Sequence, residues 1–139
     1  MLPEQEGAPV LCVDLSTPER GGPVVAALRG ELDAAAVADV KTALAAAAAR
    51  GSWVVADLAG LEFIDCSGMA ALARVREQAR QAGGDLLLAA AQEQVLRLLI
   101  LTRLIGIFSV HPSAGQAAAA AGGSHRALAP VAGAFVVNV

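Results

Sequence analysis

Aromatic residues are nearly missing from this chain: three phenylalanines, one tryptophan and no tyrosine make up 3% of 139 residues. With 56% apolar residues overall, the core must therefore be built from Val, Leu, Ile and Ala. Lysine is scarcer still, since Lys41 stands alone, and no Arg/Lys run exists. The formal net charge of −3 argues against direct nucleic-acid binding, which draws on a basic stripe. Cysteine is limited to Cys12 and Cys66 in unlike settings, which fits reduced thiols in a cytoplasmic protein better than a disulfide framework. Metal-ligand spacing is absent, because two cysteines and two histidines lie widely scattered. No long hydrophobic run is available either. The oiliest segment, Val95 to Val110, is broken by Arg97, Thr102, Arg103 and Gly106, whereas a spanning helix needs about 20 mostly apolar residues. The opening residues carry no basic-then-apolar leader pattern. A protein away from the membrane is the expectation.

Phosphate-cradling loops are missing too. Neither Gly-x-x-x-x-Gly-Lys nor Gly-x-Gly-x-x-Gly occurs, so intrinsic kinase or dinucleotide chemistry is not expected, and no cofactor is called for. A serine hydrolase would want a Gly-x-Ser-x-Gly elbow, but Asp65 and Met69 flank the one promising serine. His111 and His125 are the two available bases, and neither forms a recognisable triad with it. The chain reads as a non-enzyme.

What is present is an alternation of short apolar runs with helical patterns. Val10–Leu15 and Val24–Gly30 read as a strand pair around Gly21-Gly22-Pro23. Asp33 is a candidate N-cap for a helix with Val37, Val40, Leu44 and Ala48 on one side, closed by Gly51. Trp53–Leu58 is a third strand, apolar enough to be covered on both faces. A second helix follows Asp65-Cys66-Ser67-Gly68, with Leu72, Val75, Ala79 and Ala82 on one stripe and Gly83-Gly84 as its stop. Asp85–Ala90 supplies a fourth strand, Gln92 to about Leu104 a third helix, Ile107–Val110 a short strand, and Pro112-Ser113 opens a last Ala-rich helix. These elements predict a single small α/β domain over residues 8–121. Its mixed, mostly parallel sheet would hold four to five strands packed against about four helices. Residues 122–139 form a tail of uncertain structure in which Ala134-Phe135-Val136-Val137 is too apolar for easy solvation. It can dock on the body, extend the sheet or meet a second chain as a weak homodimer.

The corner Phe63-Ile64-Asp65-Cys66-Ser67-Gly68-Met69 carries the chemistry. It lies where a strand gives way to a helix, and the first N–H groups of a helix have no internal partners. Two readings of Ser67 stand side by side. Its hydroxyl can cap those N–H groups, or it can be a place to add and remove a phosphate, which a helix N-terminus tolerates. Asp65 would sharpen repulsion of a partner once a phosphate is present. Phe63 and Met69 are core types by default, although Met69, one turn from Ser67, is a reasonable contact for a partner. Cys66 reads as small filler.

In this order the pieces resemble the STAS family, in particular the stand-alone bacterial anti-sigma factor antagonists. Gly30-Glu31-Leu32-Asp33 resembles that family's strand-to-helix signature. Asp57-Leu58 with Phe63–Met69 resembles its phosphorylation loop, and Gly83–Leu88 with Val95–Leu99 and Ile107-Phe108 its second half. Cys66 stands where the family usually has Ser or Thr, and Thr102-Arg103 where a Ser-Gly helix end is common. The resemblance implies a partner switch in the cytoplasm. The antagonist binds an anti-sigma factor that is a serine kinase and so releases a sigma factor. Phosphorylation of Ser67 ends the complex and a serine phosphatase resets it. Asp33, Phe63, Asp65, Cys66, Gly68 and Met69 are the partner-binding residues this implies. The other expectation is a scaffold or sensor subunit of the same fold in which Ser67 is never phosphorylated.

Overall fold

A computed structural model describes residues 11–18, 21–51 and 53–122. Five strands form one sheet in the spatial order of the chain: β1 (Leu11–Ser16), β2 (Val24–Leu32), β3 (Trp53–Ile64), β4 (Asp85–Ala89) and β5 (Ser109–His111). β1 runs antiparallel to β2, and every other pairing is parallel. The helices are α1 (Val37–Gly51), α2 (Cys66–Gln81), α3 (Glu93–Leu101) and α4 (Ala114–Gly122), with 3-10 turns at Ala34–Ala36 and Leu104–Gly106. The parallel crossovers advance one strand at a time in the same direction. With one handedness, such connections put their helices on the same face.

That face holds the main core. Val24, Ala26 and Leu28 of β2, Val54, Ala56 and Leu58 of β3, and Leu86 and Leu88 of β4 point into it. Val40 and Leu44 of α1, Leu72 and Val75 of α2, and Val95 and Leu99 of α3 close over them. The opposite face offers Val25, Val55, Leu87 and Ala89 to α4, which meets them through Ala117 and Ala121. No helix among the described residues is long and apolar enough to cross a membrane.

β3 departs from expectation by running six residues past Leu58. Sequence alternation breaks at Ala59-Gly60, which reads as the start of a loop. The register shows why it is not one: Ala27 pairs with Asp57 but Arg29 with Gly60, and Gly30 pairs with Leu61 but Glu31 with Phe63. β3 thus takes up one extra residue twice, and each bulge moves the next inward position from two residues on to three. Leu58, Leu61 and Ile64 consequently all enter the main core. The two bulges bring Ile64 level with Leu32, so Asp65 emerges beside Asp33 at the carboxyl edge of the sheet.

The third helix is shorter than its pattern predicts. Thr102 ends it by donating its hydroxyl to the Leu98 carbonyl at 2.8 Å, and Arg103 turns left-handed with φ 67°. Residues 104–106 then form the separate 3-10 turn, and β5 begins only at Ser109. The tail, Phe135 and His125 included, lies outside the described residues beyond Gly122.

Candidate functional site

Two neighbouring strands end in the same way. β2 delivers Asp33 with φ −118° and ψ −173°, and its carboxylate accepts from the Ala35 N–H at 3.1 Å. β3 delivers Asp65 with φ −113° and ψ −174°, and its Oδ1 accepts from the Gly68 N–H at 2.9 Å. Each aspartate is an N-cap, fitted by its short side chain and extended backbone. The Asp65 N–H also donates to the Leu32 carbonyl at 3.2 Å, which ties the two strand ends together. Both carboxylates therefore stand at one edge, where parallel sheets commonly gather ligands.

Asp65 as cap settles what caps α2. Cys66, Ser67 and Gly68 are its first three residues, Gly68 N–H is served by Asp65, and Met69 N–H donates to the Asp65 carbonyl at 2.9 Å. Ser67 is exposed in the second helical position, and its hydroxyl makes no hydrogen bond among the described residues. The capping reading of Ser67 is thus replaced, because Asp65 already fills that role. Cys66 beside it is exposed and unpaired to any other cysteine.

Gly68 is buried and explains how the helix start reaches the sheet edge. A Cβ there would lie 2.5 Å from the Leu32 carbonyl oxygen and 2.7 Å from Leu32 Cγ. Met69 is only 1% exposed and packs in the main core. Gly68 and Met69 accordingly support the corner from beneath, and the expected offer of a Met69 surface to a partner is corrected by its burial. Phe63 goes the other way. It is 46% exposed, although aromatic, because the second bulge of β3 turns it away from the core.

Phe63 lines an open groove of about 250 Å³ with Ile64, Gln94, Arg97, Leu98 and Leu101. Leu101 is 73% exposed, the most exposed large apolar side chain among the described residues. Sequence reading passed over Leu98 and Leu101. The available signal was the composition of α3: six of its nine residues are apolar, more than one buried face can take. Arg97 is held by Glu93 at 2.8 Å on the helix's outer side.

Other candidates resolve as structure. The Asp57 carboxylate accepts from the Ala59 N–H at 3.1 Å within the first bulge. His111 is half-buried on β5, and desolvation lowers its pKa from the usual 6.5. No group of three or more metal-ligating side chains occurs among the described residues.

This strand–aspartate–helix edge on a sheet of order β1-β2-β3-β4-β5 coincides with a match to the STAS domain model over residues 14–117. The chain belongs to the STAS domain family. A curated relative of this STAS domain is the anti-sigma-F factor antagonist RsfA of Mycobacterium tuberculosis, 33% identical over 100 residues. The alignment spans 70% of this chain and 78% of RsfA. Among solved structures, an anti-sigma factor antagonist from Mycobacterium paratuberculosis superposes with a TM-score of 0.67 at 23% identity, covering 80% of this chain and 93% of its own. Unphosphorylated SpoIIAA, also an anti-sigma factor antagonist, gives a TM-score of 0.66 at 20% identity, covering 85% and 99%. These two likenesses are of fold.

Proposed function

We propose that this STAS domain is an anti-sigma factor antagonist, switched by phosphorylation of Ser67. It binds an anti-sigma factor that is itself a serine kinase, and a serine phosphatase restores the binding form. The observation that carries this reading is the division of labour at the corner: Asp65 caps α2, which leaves the Ser67 hydroxyl exposed and uncommitted. Two comparisons support it. RsfA, a relative at 33% identity, bears the antagonist name, and SpoIIAA, which shares the fold, has both an unphosphorylated and a phosphorylated form.

The chemistry is a simple group transfer. The γ-phosphoryl of ATP moves to Ser67 Oγ, ADP leaves, and the hydroxyl proton goes to a base of the kinase. The product carries nearly two negative charges at neutral pH. At the second residue of α2, the positive end of the helix offsets that charge, so the fold survives. The partner has no such compensation. A surface packed against a bare serine two residues from Asp65, at the sheet edge that also carries Asp33, would meet a hydrated dianion added to these carboxylates. Asp33, Asp65, Cys66 and the exposed ring of Phe63 form the contact surface in this reading, with Gly68 and Met69 fixing its shape.

The test is intact mass after incubation with ATP and candidate anti-sigma factor kinases. One phosphate that disappears in Ser67→Ala is expected, and no phosphate with any candidate would favour the scaffold reading. Ser67→Asp is expected to weaken kinase binding while circular dichroism and melting stay within about 0.5 kcal/mol of the parent. Binding as tight as the parent's would remove charge repulsion as the mechanism.

A further inference from the structure

Among the described residues the face of the sheet opposite the main core is only partly covered. α4 is the one helix of these residues that covers it, and Ala117 and Ala121 are the residues it buries there. Alanines bring the helix close to the sheet but give it little width. Beside it, an open groove of about 240 Å³ runs between the first turns of α4 and the start of β2. Pro18, Pro23, Val25, Ala114, Ala118 and Ala119 line it. Among the described residues its lining side chains are all apolar, and they offer a polar ligand nothing to hold it. Its volume also falls short of the roughly 300–1,000 Å³ typical of small-molecule pockets. A few apolar side chains are the occupants of the right size and chemistry.

The chain carries such a segment directly after α4. Ala134-Phe135-Val136-Val137 offers the bulky apolar groups that α4 lacks, and no charged residue occurs from Ala127 onward. The eleven residues 123–133 between α4 and this segment can span roughly 35 Å when extended. α4 is about 13 Å long, so a chain reversing at Gly122-Gly123 can return to the helix's first turns with length to spare. The groove beside Phe63 is a poorer match. It is lined partly by Gln94 and Arg97 and belongs to the α3 side of the sheet.

We infer that Ala134–Val137 folds back along α4 and seats Phe135 in the groove against Val25, Pro23 and Ala118, completing the cover of the second sheet face. This contact is separate from the switch at Ser67, and its test involves no kinase.

The test uses the full chain with Cys12→Ser and Cys66→Ser, carrying Ala118→Cys and Ala134→Cys. Mild oxidation is expected to close an intramolecular disulfide, read as the loss of two hydrogen masses in a monomer. A control pair, Ala70→Cys with Ala134→Cys, puts the first thiol on the exposed face of α2 and is expected to close several-fold more slowly. Adding Phe135→Asp to the groove pair is expected to slow closure to the control rate. In the otherwise unaltered protein, Phe135→Asp should shift emission of the lone Trp53 to the red, since Trp53 packs at the rim of the same apolar cluster. Circular dichroism should not change. Equal rates for the two pairs, or closure unaffected by Phe135→Asp, would overturn the inference. Disulfides that form only between two chains would overturn it in favour of a second copy as the occupant.

Discussion

Gly68 and Asp65 start α2 together, one by leaving space and the other by supplying an acceptor. The space is the more demanding requirement. An added methyl at Gly68 would press on the Leu32 carbonyl, which already accepts from Asp65, so the backbone cannot retreat without losing that hydrogen bond. Gly68→Ala is therefore expected to destabilise the fold by about 1–3 kcal/mol despite alanine's better helix propensity. Urea unfolding checks this, and an unchanged or raised midpoint would show slack at the helix start. The identity of Gly68 was visible in the sequence, but its reason was not. A glycine after Asp-x-Ser reads as a turn residue. Only the approach of β2's last carbonyl shows that it is a packing residue. Ser67 illustrates the same point: its hydroxyl reads as a possible cap in the sequence, and the geometry gives that role to Asp65.

Elements were legible wherever a regular period held. α2 shows its stripe of Leu72, Val75 and Ala79 at helical spacing, and all three are buried, whereas Ala82, read onto the same stripe, is the exposed residue that ends the helix. β4 and the inner half of β3 read correctly because consecutive apolar residues are covered on both faces. Bulges defeated the reading of β3 beyond Leu58, since each inserts a residue that the period does not announce. The end of α3 failed for another reason. Its apolar pattern continues through Leu104 and Ile105, yet Thr102 and Arg103 stop the helix. Arg103 holds a left-handed backbone at φ 67°, a conformation that costs a side-chain-bearing residue about 1 kcal/mol. Arg103→Gly should recover up to about 1 kcal/mol, less the extra freedom glycine brings to the unfolded chain. The comparison is thermal midpoint against the parent. A clear loss of stability would mean that the arginine side chain contributes more than its backbone costs.

The whole molecule divides between a thick face and a thin one. Among the described residues three helices cover the main core, whereas α4 alone meets Val25, Val55, Leu87 and Ala89. His111 lies on β5 opposite Ala89, and its burial has a consequence for global stability. Desolvation lowers its folded pKa below the ordinary 6.5, so between those two values the unfolded chain binds the proton more readily. Stability is thus undiminished above pH 6.5 and falls as pH drops toward the folded pKa. Denaturation measured from pH 7.5 to 5 should show this decline, and His111→Asn should flatten the part of the slope that the parent owes to this residue. An identical slope in the variant would place the acid sensitivity elsewhere.

By itself the sequence determined the composition of the core, the α/β alternation, and a hydroxyl two residues after an aspartate at a strand-to-helix corner. These are local properties: periodicity, capping chemistry and breakers act over a few residues. Tertiary structure alone decided that two bulges carry β3 level with β2, that Asp65 caps α2 in place of Ser67, that Met69 turns inward and that Phe63 turns out. Each depends on which backbone lies alongside. A carbonyl from residue 32 and a strand register spanning some thirty positions are brought to the corner by the fold, and no spacing within the corner itself records them.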